Sequence, residues 1–196
     1  MGASLQRQKE EKKHNLVQAA YELFLEKGTT KTSIDEIVRC ANVAKGTFYL
    51  YFQDKNEIWD AVVARVSNHI LLEAKEALEQ RNLPDMIDRI LFVADYVIEY
   101  FRKNILVLRM IRRDFSWPLV LKKMEQEQDN TLLQMLDQCF CSPYLSRYSM
   151  EESYRMMFII MEMVGSISYT SILHDQPAPI DEMKPVLFHT IRKILL

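Results

Sequence analysis

Apolar residues recur along this chain at the three- and four-residue spacing of amphipathic helices. Ile34, Ile37 and Val38 show the spacing in its shortest form, which places all three on one face of a helix. The period-two alternation of strands is nowhere sustained, and four glycines and six prolines in 196 residues are few for the turns of a strand-rich fold. The pattern therefore predicts an all-α protein.

Breaks in this periodicity predict where the helices begin and end. Aspartate or serine followed three residues later by glutamate marks helix starts at Asp54 and Ser149. Three short helices precede residue 54 and six follow it, about nine in total. The six run from near Lys55 to about residue 80, from about Pro84 to Lys103, from Ile105 to Asp114, from Ser116 to about Cys139, from Ser149 to near His174, and from about Ile180 to the C-terminus.

Residues 32–52 predict two short helices joined by a tight turn. Ser33 and Glu36 have the spacing of a capping box, which starts the first of these helices. Asn42 lies where the chain must turn, and asparagine tolerates the left-handed conformation better than most residues. Two helices so joined are typical of a helix-turn-helix, whose second helix enters the DNA major groove.

The second helix of this pair starts at Ala44 and carries basic, hydroxylated and aromatic side chains. Its spacing turns Phe48, Tyr51 and Phe52 inward. We expect the lysines on the outside of this helix to contact phosphates. Hydroxyl and amide groups at the helix start either bind further phosphates or only cap the helix. The leucine is expected to contact a thymine methyl. The predicted DNA contacts are Thr32, Ser33, Lys45, Gly46, Thr47, Tyr49, Leu50 and Lys55.

Charge supports DNA binding only weakly. Residues 1–55 hold nine basic and seven acidic side chains, a net charge of +2, in a chain of net charge −2. This small asymmetry argues against a protein that coats DNA non-specifically. Lys9, Lys12 and Lys13 are either phosphate contacts or a solvated helix start.

Residues 43–55 resemble the most recognisable stretch of the TetR family of bacterial transcriptional repressors. The first helix fits as well, with Lys27-Gly28 as its stop, so that the resemblance covers roughly residues 10–60. The chain departs from the family pattern at Asn42, where glycine is common, and at Ala44, where serine is common. Leu50 also stands where the family often has a polar residue.

The resemblance implies a DNA-binding domain over residues 1–54 and a helical ligand-binding and dimerisation domain over residues 55–196. It further implies a homodimer formed by the last two helices, in which Gly165 and Ser168 permit close helix approach. Two recognition helices related by a two-fold axis read a palindromic operator in successive major grooves, about 34 Å apart. A small molecule would release this repressor from DNA. Alternatives are an all-α protein–protein interaction module, or an activator or ligand-independent regulator of the same family.

The implied ligand cavity needs adaptable apolar walls, which methionine and aromatic side chains provide, although such side chains are also ordinary core material. Glu162 is the only formal charge between Arg155 and His174. If buried, its carboxylate needs a partner, which is a cationic ligand, an arginine of this chain or a residue of a second subunit. The predicted wall residues are Phe92, Tyr96, Tyr100, Phe101, Trp117, Met124, Met156, Met157, Met161, Glu162, Met163 and Tyr169. Asp88, Asp95 and Glu99 are predicted to form a solvent-facing surface.

Neither catalysis nor metal binding is expected from this sequence, and no cofactor is predicted. It has no nucleophile motif, no Gly-rich phosphate loop and no histidines at metal-ligand spacing. The pair Cys139 and Cys141 is more consistent with small apolar residues at a helix end than with a metal or redox site. Three cysteines and the lack of a signal peptide predict a cytoplasmic protein. Residues 156–173 are apolar but fall short of the roughly 20 residues of a membrane span, and this stretch is predicted to be a helix buried on most of its faces.

Overall fold

The computed structural model describes residues 2–112 and 138–196, which form helices and no strand. The all-α prediction is therefore confirmed for this part of the chain, and most of the helix predicted from Ser116 lies outside it. The helix from Pro84 begins two residues later than expected, because Asp85 caps it by accepting from the amides of Ile87 and Asp88. The helices are α1 (Gly2–Lys31), α2 (Ile34–Cys40), α3 (Lys45–Tyr49), α4 (Lys55–Glu79), α5 (Met86–Lys103), α6 (Ile105–Arg112), α7 (Met150–His174) and α8 (Ile180–Leu195).

The chain divides into two compact units, Met1–Val66 and Ser67–Leu196. In the first unit, Phe24 meets Trp59 edge to face with ring centroids 5.5 Å apart. Gly28 interrupts α1 with φ 79 and ψ 163, a conformation that costs glycine little and other residues much. The predicted stop at Lys27-Gly28 is thus a break, after which one further turn leads to Lys31.

In the second unit, α7 packs against α5, α6 and α8, and α8 packs against α5. Buried apolar side chains at the spacing of one helical face hold these helices together. On α5 the buried set includes Ile87, Ile90, Leu91, Ala94 and Ile98, and on α8 it includes Leu187, Ile191 and Leu195.

Acidic side chains of α5 form ion pairs with basic side chains of α8. Arg192 lies 2.5 Å from Asp88, and Lys184 contacts both Asp95 and Glu99, the latter at 2.9 Å. Burial raises the pKa of Glu99, but the neighbouring Lys184 and an arginine outweigh it and hold that pKa below its ordinary value. The side chains of Asp88 and Asp95 stay 45% and 41% exposed, as predicted, whereas Glu99 is 24% exposed, and α8 supplies ion-pair partners that the sequence did not show.

Helix α7 begins and ends where the sequence predicts, and much of its surface is exposed in the single chain. The helix has 25 residues, and the mean hydropathy of its most apolar stretch is 1.6. In the single chain, 28% of that stretch is buried. Among the described residues, this helix alone is long and apolar enough to span a membrane by length and composition, and the apolar stretch 156–173 is part of it. In the single chain α5, α6 and α8 pack against α7, and the predicted burial of its other faces depends on a second subunit.

Candidate nucleic-acid interface and internal cavity

Local hydrogen bonds fix the geometry of α2 and of the turn that follows it. The Ser33 hydroxyl accepts from the Glu36 amide at 3.3 Å, and the Ser33 amide donates to the Glu36 carboxylate at 2.9 Å. The predicted capping box is therefore confirmed. Asn42 has φ 53, as expected for the residue that turns the chain toward α3. Lys27 of α1 pairs with Glu36 and ties the two helices together.

The contacts of Glu36 make the stability of the first unit sensitive to acid. Hydrogen bonds from Lys27 and Ser33 lower the pKa of Glu36 from 4.5 to about 2. A lowered pKa stabilises the folded state above pH 4.5, and this stabilisation is lost as the pH falls toward 2. We expect Glu36→Gln to have a lower Tm than the wild type at pH 6, and the difference to shrink as the pH approaches 2. Thermal unfolding followed by circular dichroism measures it.

Glu26→Gln is the matched control, because it removes one carboxylate from the exposed side of α1. A Tm difference for Glu36→Gln that stays constant from pH 6 to pH 2 would contradict the argument.

Helix α3 is anchored by buried aromatic rings and presents large side chains on its other side. Phe48 and Phe52 are 0% and 1% exposed, whereas Tyr49 is 54% and Leu50 is 79% exposed. The inward orientation predicted for both phenylalanines is confirmed. Lys45 is exposed and lies 2.7 Å from Asp35 of α2, and this hydrogen bond raises the pKa of Lys45.

The remaining predicted contacts on α2 and α3 differ in their surroundings. Ser33 and Gly46 are exposed and Thr47 is half-buried. Ala44 begins α3 without a side-chain hydrogen bond to cap it, so the cap that serine would supply in this position is missing, as the sequence predicts.

Two of the predicted DNA contacts have roles inside the first unit. Thr32 is 2% exposed, and its hydroxyl donates to the Gly28 carbonyl at 2.8 Å. Lys55 donates to the carbonyl oxygens of Thr29 and Thr32, at 2.7 and 3.0 Å. Burial removes the Thr32 hydroxyl from the surface of the folded unit, so the structure gives no support to a phosphate contact by this side chain. Lys55 retains a third donor hydrogen and stays a predicted phosphate contact.

The second unit contains a cavity of about 370 Å³. Side chains from α4, α5, α6 and α7 line it, and most of them are aliphatic. Arg89 and Glu162 are the charged residues among the described lining. The aliphatic set includes Ile70, Leu71, Leu78, Ile90, Val93, Val97, Leu108, Ile111, Ile160 and Val164.

Comparison with known proteins gives the first unit a family. Residues 16–62 match the family described as bacterial regulatory proteins, tetR family. This match contains the whole of α2 and α3 and the buried anchors of α3. Over these residues the first unit is that of the TetR family.

Individual proteins are similar to this chain over different lengths. The HTH-type transcriptional regulator YvdT of Bacillus subtilis (strain 168), itself uncharacterised, is 38% identical over 98 residues, which is 50% of either chain. A TetR transcriptional regulator from Rhodococcus sp. RHA1 superposes with a TM-score of 0.69 at 16% identity, over 96% of this chain and 98% of that one. FadR from Bacillus subtilis, in complex with stearoyl-CoA, has a TM-score of 0.60 at 16% identity, over 91% and 96% of the two chains.

The structure separates the predicted cavity walls into two groups. Phe101, Met157, Met161 and Glu162 line the cavity. The described residues that line it do not include Phe92, Tyr96, Tyr100, Met156, Met163 or Tyr169. Trp117 and Met124 lie outside the described residues. Tyr96 instead donates to Glu73 at 3.3 Å, and Arg81 lies over the Phe92 ring at 5.5 Å.

The aliphatic residues of α4 and α5 are the part of the cavity that sequence reasoning missed. Ile90, Val93, Val97 and Phe101 recur at three- and four-residue spacing along α5, which was the available signal. The same spacing describes any core-facing helix, so it cannot tell a cavity wall from close-packed core.

Polar groups of the cavity differ in burial. Glu162 is exposed, so the expectation of a buried carboxylate that needs a partner is wrong for the single chain. Cys139 is buried, and burial raises the pKa of its thiol to about 11 against the opposing effect of Arg89. A thiol of such high pKa is mostly protonated at neutral pH and reacts slowly. Among the described residues, no three His, Cys, Asp or Glu side chains are placed to hold a metal ion.

Proposed function

We propose that this TetR-family regulator is a homodimeric repressor that binds a palindromic DNA operator through α3. A small molecule in the cavity of the second unit releases it from that operator. The observation that carries the proposal is the exposure of Tyr49, the last residue of α3, and of Leu50 directly after it, on a short helix whose opposite side is buried. Two adjacent large side chains exposed in this way are typical of a surface that binds another molecule.

The chemistry of this surface suits the DNA major groove. The Tyr49 hydroxyl provides hydrogen bonds to phosphates or base edges, and Leu50 provides apolar contact for a thymine methyl. Lys45 can leave its exposed partner Asp35 and bind a phosphate instead. Breaking that ion pair costs little free energy, because exposed ion pairs contribute little to stability.

Exposed apolar side chains on the last two helices support the homodimer. Ile159 of α7 is 50% exposed and Val186 of α8 is 58% exposed. Met150 at the start of α7 is 66% exposed, and Leu196 directly after α8 is 66% exposed. Pairing α7 and α8 with their copies in a second subunit removes this surface from water.

The cavity supports the effector. Its volume lies within the range of small-molecule sites, and its lining is mostly apolar with few polar groups. FadR, which has a similar fold, was crystallised with stearoyl-CoA. An effector that favours the DNA-incompetent state by about 1–3 kcal/mol would weaken operator binding roughly 5- to 150-fold.

Selection of bound duplexes from a random DNA library tests the proposal. We expect a palindromic sequence to be enriched and to bind with nanomolar affinity in fluorescence anisotropy, with an affinity that falls steeply as salt rises. Enrichment of a single unrepeated half-site would contradict the homodimer. Weak binding without sequence preference would contradict a specific regulator and favour a protein-docking function for α3.

Gly46 offers a test of how closely DNA approaches α3. It is exposed, and a Cβ built on it meets nothing within 4 Å, so the folded chain itself has room for alanine. We expect Gly46→Ala to stabilise the protein by up to about 1 kcal/mol, because glycine weakens a helix interior, and to reduce operator affinity because its methyl group occupies the space of the DNA backbone. Urea unfolding and anisotropy measure the two effects.

Leu106→Ala is the control for Gly46→Ala, since Leu106 is 58% exposed on α6, outside both the DNA surface and the last two helices. If Gly46→Ala binds the operator with unchanged affinity, Gly46 does not lie at the DNA interface.

A further inference from the structure

We propose that the cavity of the second unit binds a medium-chain aliphatic carboxylic acid, with the alkyl chain inside and the carboxylate on Arg89. This inference rests on the proposed function in taking the cavity as the effector site, and it adds the chemical class of the ligand. Three features of the cavity support it, namely the character of its walls, its size and the charge at Arg89.

The walls suit a flexible alkyl chain better than a flat ring. Branched aliphatic and methionine side chains dominate the described lining, and Phe101 is the one aromatic residue among them. A planar aromatic ligand gains specific energy from stacking on aromatic faces, which this lining scarcely offers. An alkyl chain gains its energy from the apolar area it buries, and aliphatic walls provide that area along its whole length.

The volume of the cavity limits the length of the ligand's alkyl chain. A methylene group is about the size of a water molecule, whose share of liquid volume is about 30 Å³. A cavity of about 370 Å³ therefore accommodates roughly ten to twelve heavy atoms. This length corresponds to an acid of medium chain length rather than to a short organic acid.

Arg89 provides the group that recognises the acid. It is half-buried and donates to the Gln138 side-chain oxygen at 3.0 Å. Within residues 2–112 and 138–196 it forms no ion pair, whereas Arg102, Arg155 and Arg192 each pair with a carboxylate. A guanidinium that lines an apolar cavity without a counter-ion favours a ligand that brings one.

The charge of Arg89 reaches the cavity wall. Its guanidinium opposes the effect of burial on the pKa of Cys139, which lines the same cavity. Glu162, the other charged residue of the lining, is exposed and belongs to another helix. Water screens an exposed carboxylate more than a half-buried guanidinium, so in the single chain Arg89 contributes more than Glu162 to the field in the cavity, and this field favours an anion.

Isothermal titration calorimetry on the full chain without DNA tests the inference. Decanoate, decanol and decyltrimethylammonium share one alkyl length and differ in charge. We expect decanoate to bind most tightly and decyltrimethylammonium least tightly. Among straight-chain acids, affinity should rise up to about ten to twelve heavy atoms and rise no further, as the cavity is then full.

Arg89→Met should weaken decanoate binding roughly tenfold or more, because it removes a charge-assisted hydrogen bond, and should leave decanol binding unchanged. Arg109→Met is the matched control, since Arg109 is exposed on α6 and is not part of the described lining. Arg89→Lys, which keeps the positive charge, should restore part of the decanoate affinity. Decanol binding by each variant establishes that the cavity is still folded.

Two results would overturn the inference. One is equal decanoate affinity in the wild type and Arg89→Met, and the other is tighter binding of decyltrimethylammonium than of decanoate. Operator binding is measured separately by anisotropy with and without decanoate. If decanoate binds through Arg89 and the operator complex persists, the inference stands and release by an effector fails. If the operator is bound specifically and decanoate is not bound, the inference fails and the repressor remains.

Discussion

Replacing Tyr49 by alanine is expected to weaken operator binding about 30-fold or more while leaving the fold and the dimer intact. Tyr49 is 54% exposed on α3, so its loss leaves no cavity in the core. A good contact in the major groove contributes about 1–3 kcal/mol. Two symmetric half-sites double the loss to at least about 2 kcal/mol, which is roughly 30-fold in Kd. Anisotropy with the selected operator measures the change.

Tyr148→Ala is the matched control for this variant. Tyr148 is 37% exposed and belongs to the second unit, where its ring lies 5.1 Å from the Arg147 guanidinium carbon. The Tyr148→Ala variant should bind the operator with the affinity of the wild type. Wild-type affinity in Tyr49→Ala itself, with an unchanged circular dichroism spectrum, would show that α3 is not the recognition helix.

Replacing Ile159 by aspartate is expected to have a still larger effect, because it removes the dimer. Ile159 is 50% exposed on α7, a side of the helix that a second subunit would cover. An uncompensated carboxylate buried in an apolar interface costs several kcal/mol. A dimer that binds with Kd near 1 nM has about 12 kcal/mol of binding free energy, so a lone monomer keeps about 6 kcal/mol, a Kd of tens of micromolar.

Light scattering coupled to size-exclusion chromatography measures the mass of this variant, and anisotropy measures its operator affinity. Leu106→Asp is the matched control, since Leu106 is 58% exposed on α6. If Ile159→Asp remains a dimer at micromolar concentration, the assignment of α7 to the dimer interface is wrong. The two variants also separate the two roles, because Tyr49→Ala loses DNA but not its partner subunit.

Features that depend on near neighbours in the chain were predictable. The Ser33 and Ser149 capping boxes, the left-handed turn at Asn42 and the starts of α4, α7 and α8 all follow from residues within four positions of one another. Helix caps and turns are satisfied locally, so their residue types and spacing are enough to identify them. The outward side chains of α3 were predictable for the same reason.

Features that depend on which surfaces meet were decided by the tertiary structure. Lys55 donates to a carbonyl 26 residues away, and the ion pair of Asp88 with Arg192 joins residues 104 apart. The sequence around Thr32 favours exposure, but the fold buries this residue. The sequence around Glu162 favours burial, but the fold leaves it exposed.

The sequence by itself determined the described helices, the helix-turn-helix and the family resemblance of the first unit, because each rests on local spacing. The tertiary structure decided the partners of the acidic residues of α5, the aliphatic lining of the cavity and the position of Arg89 beside it. Burial and charge pairing are properties of packed surfaces, and residues far apart in the chain become neighbours only when those surfaces meet.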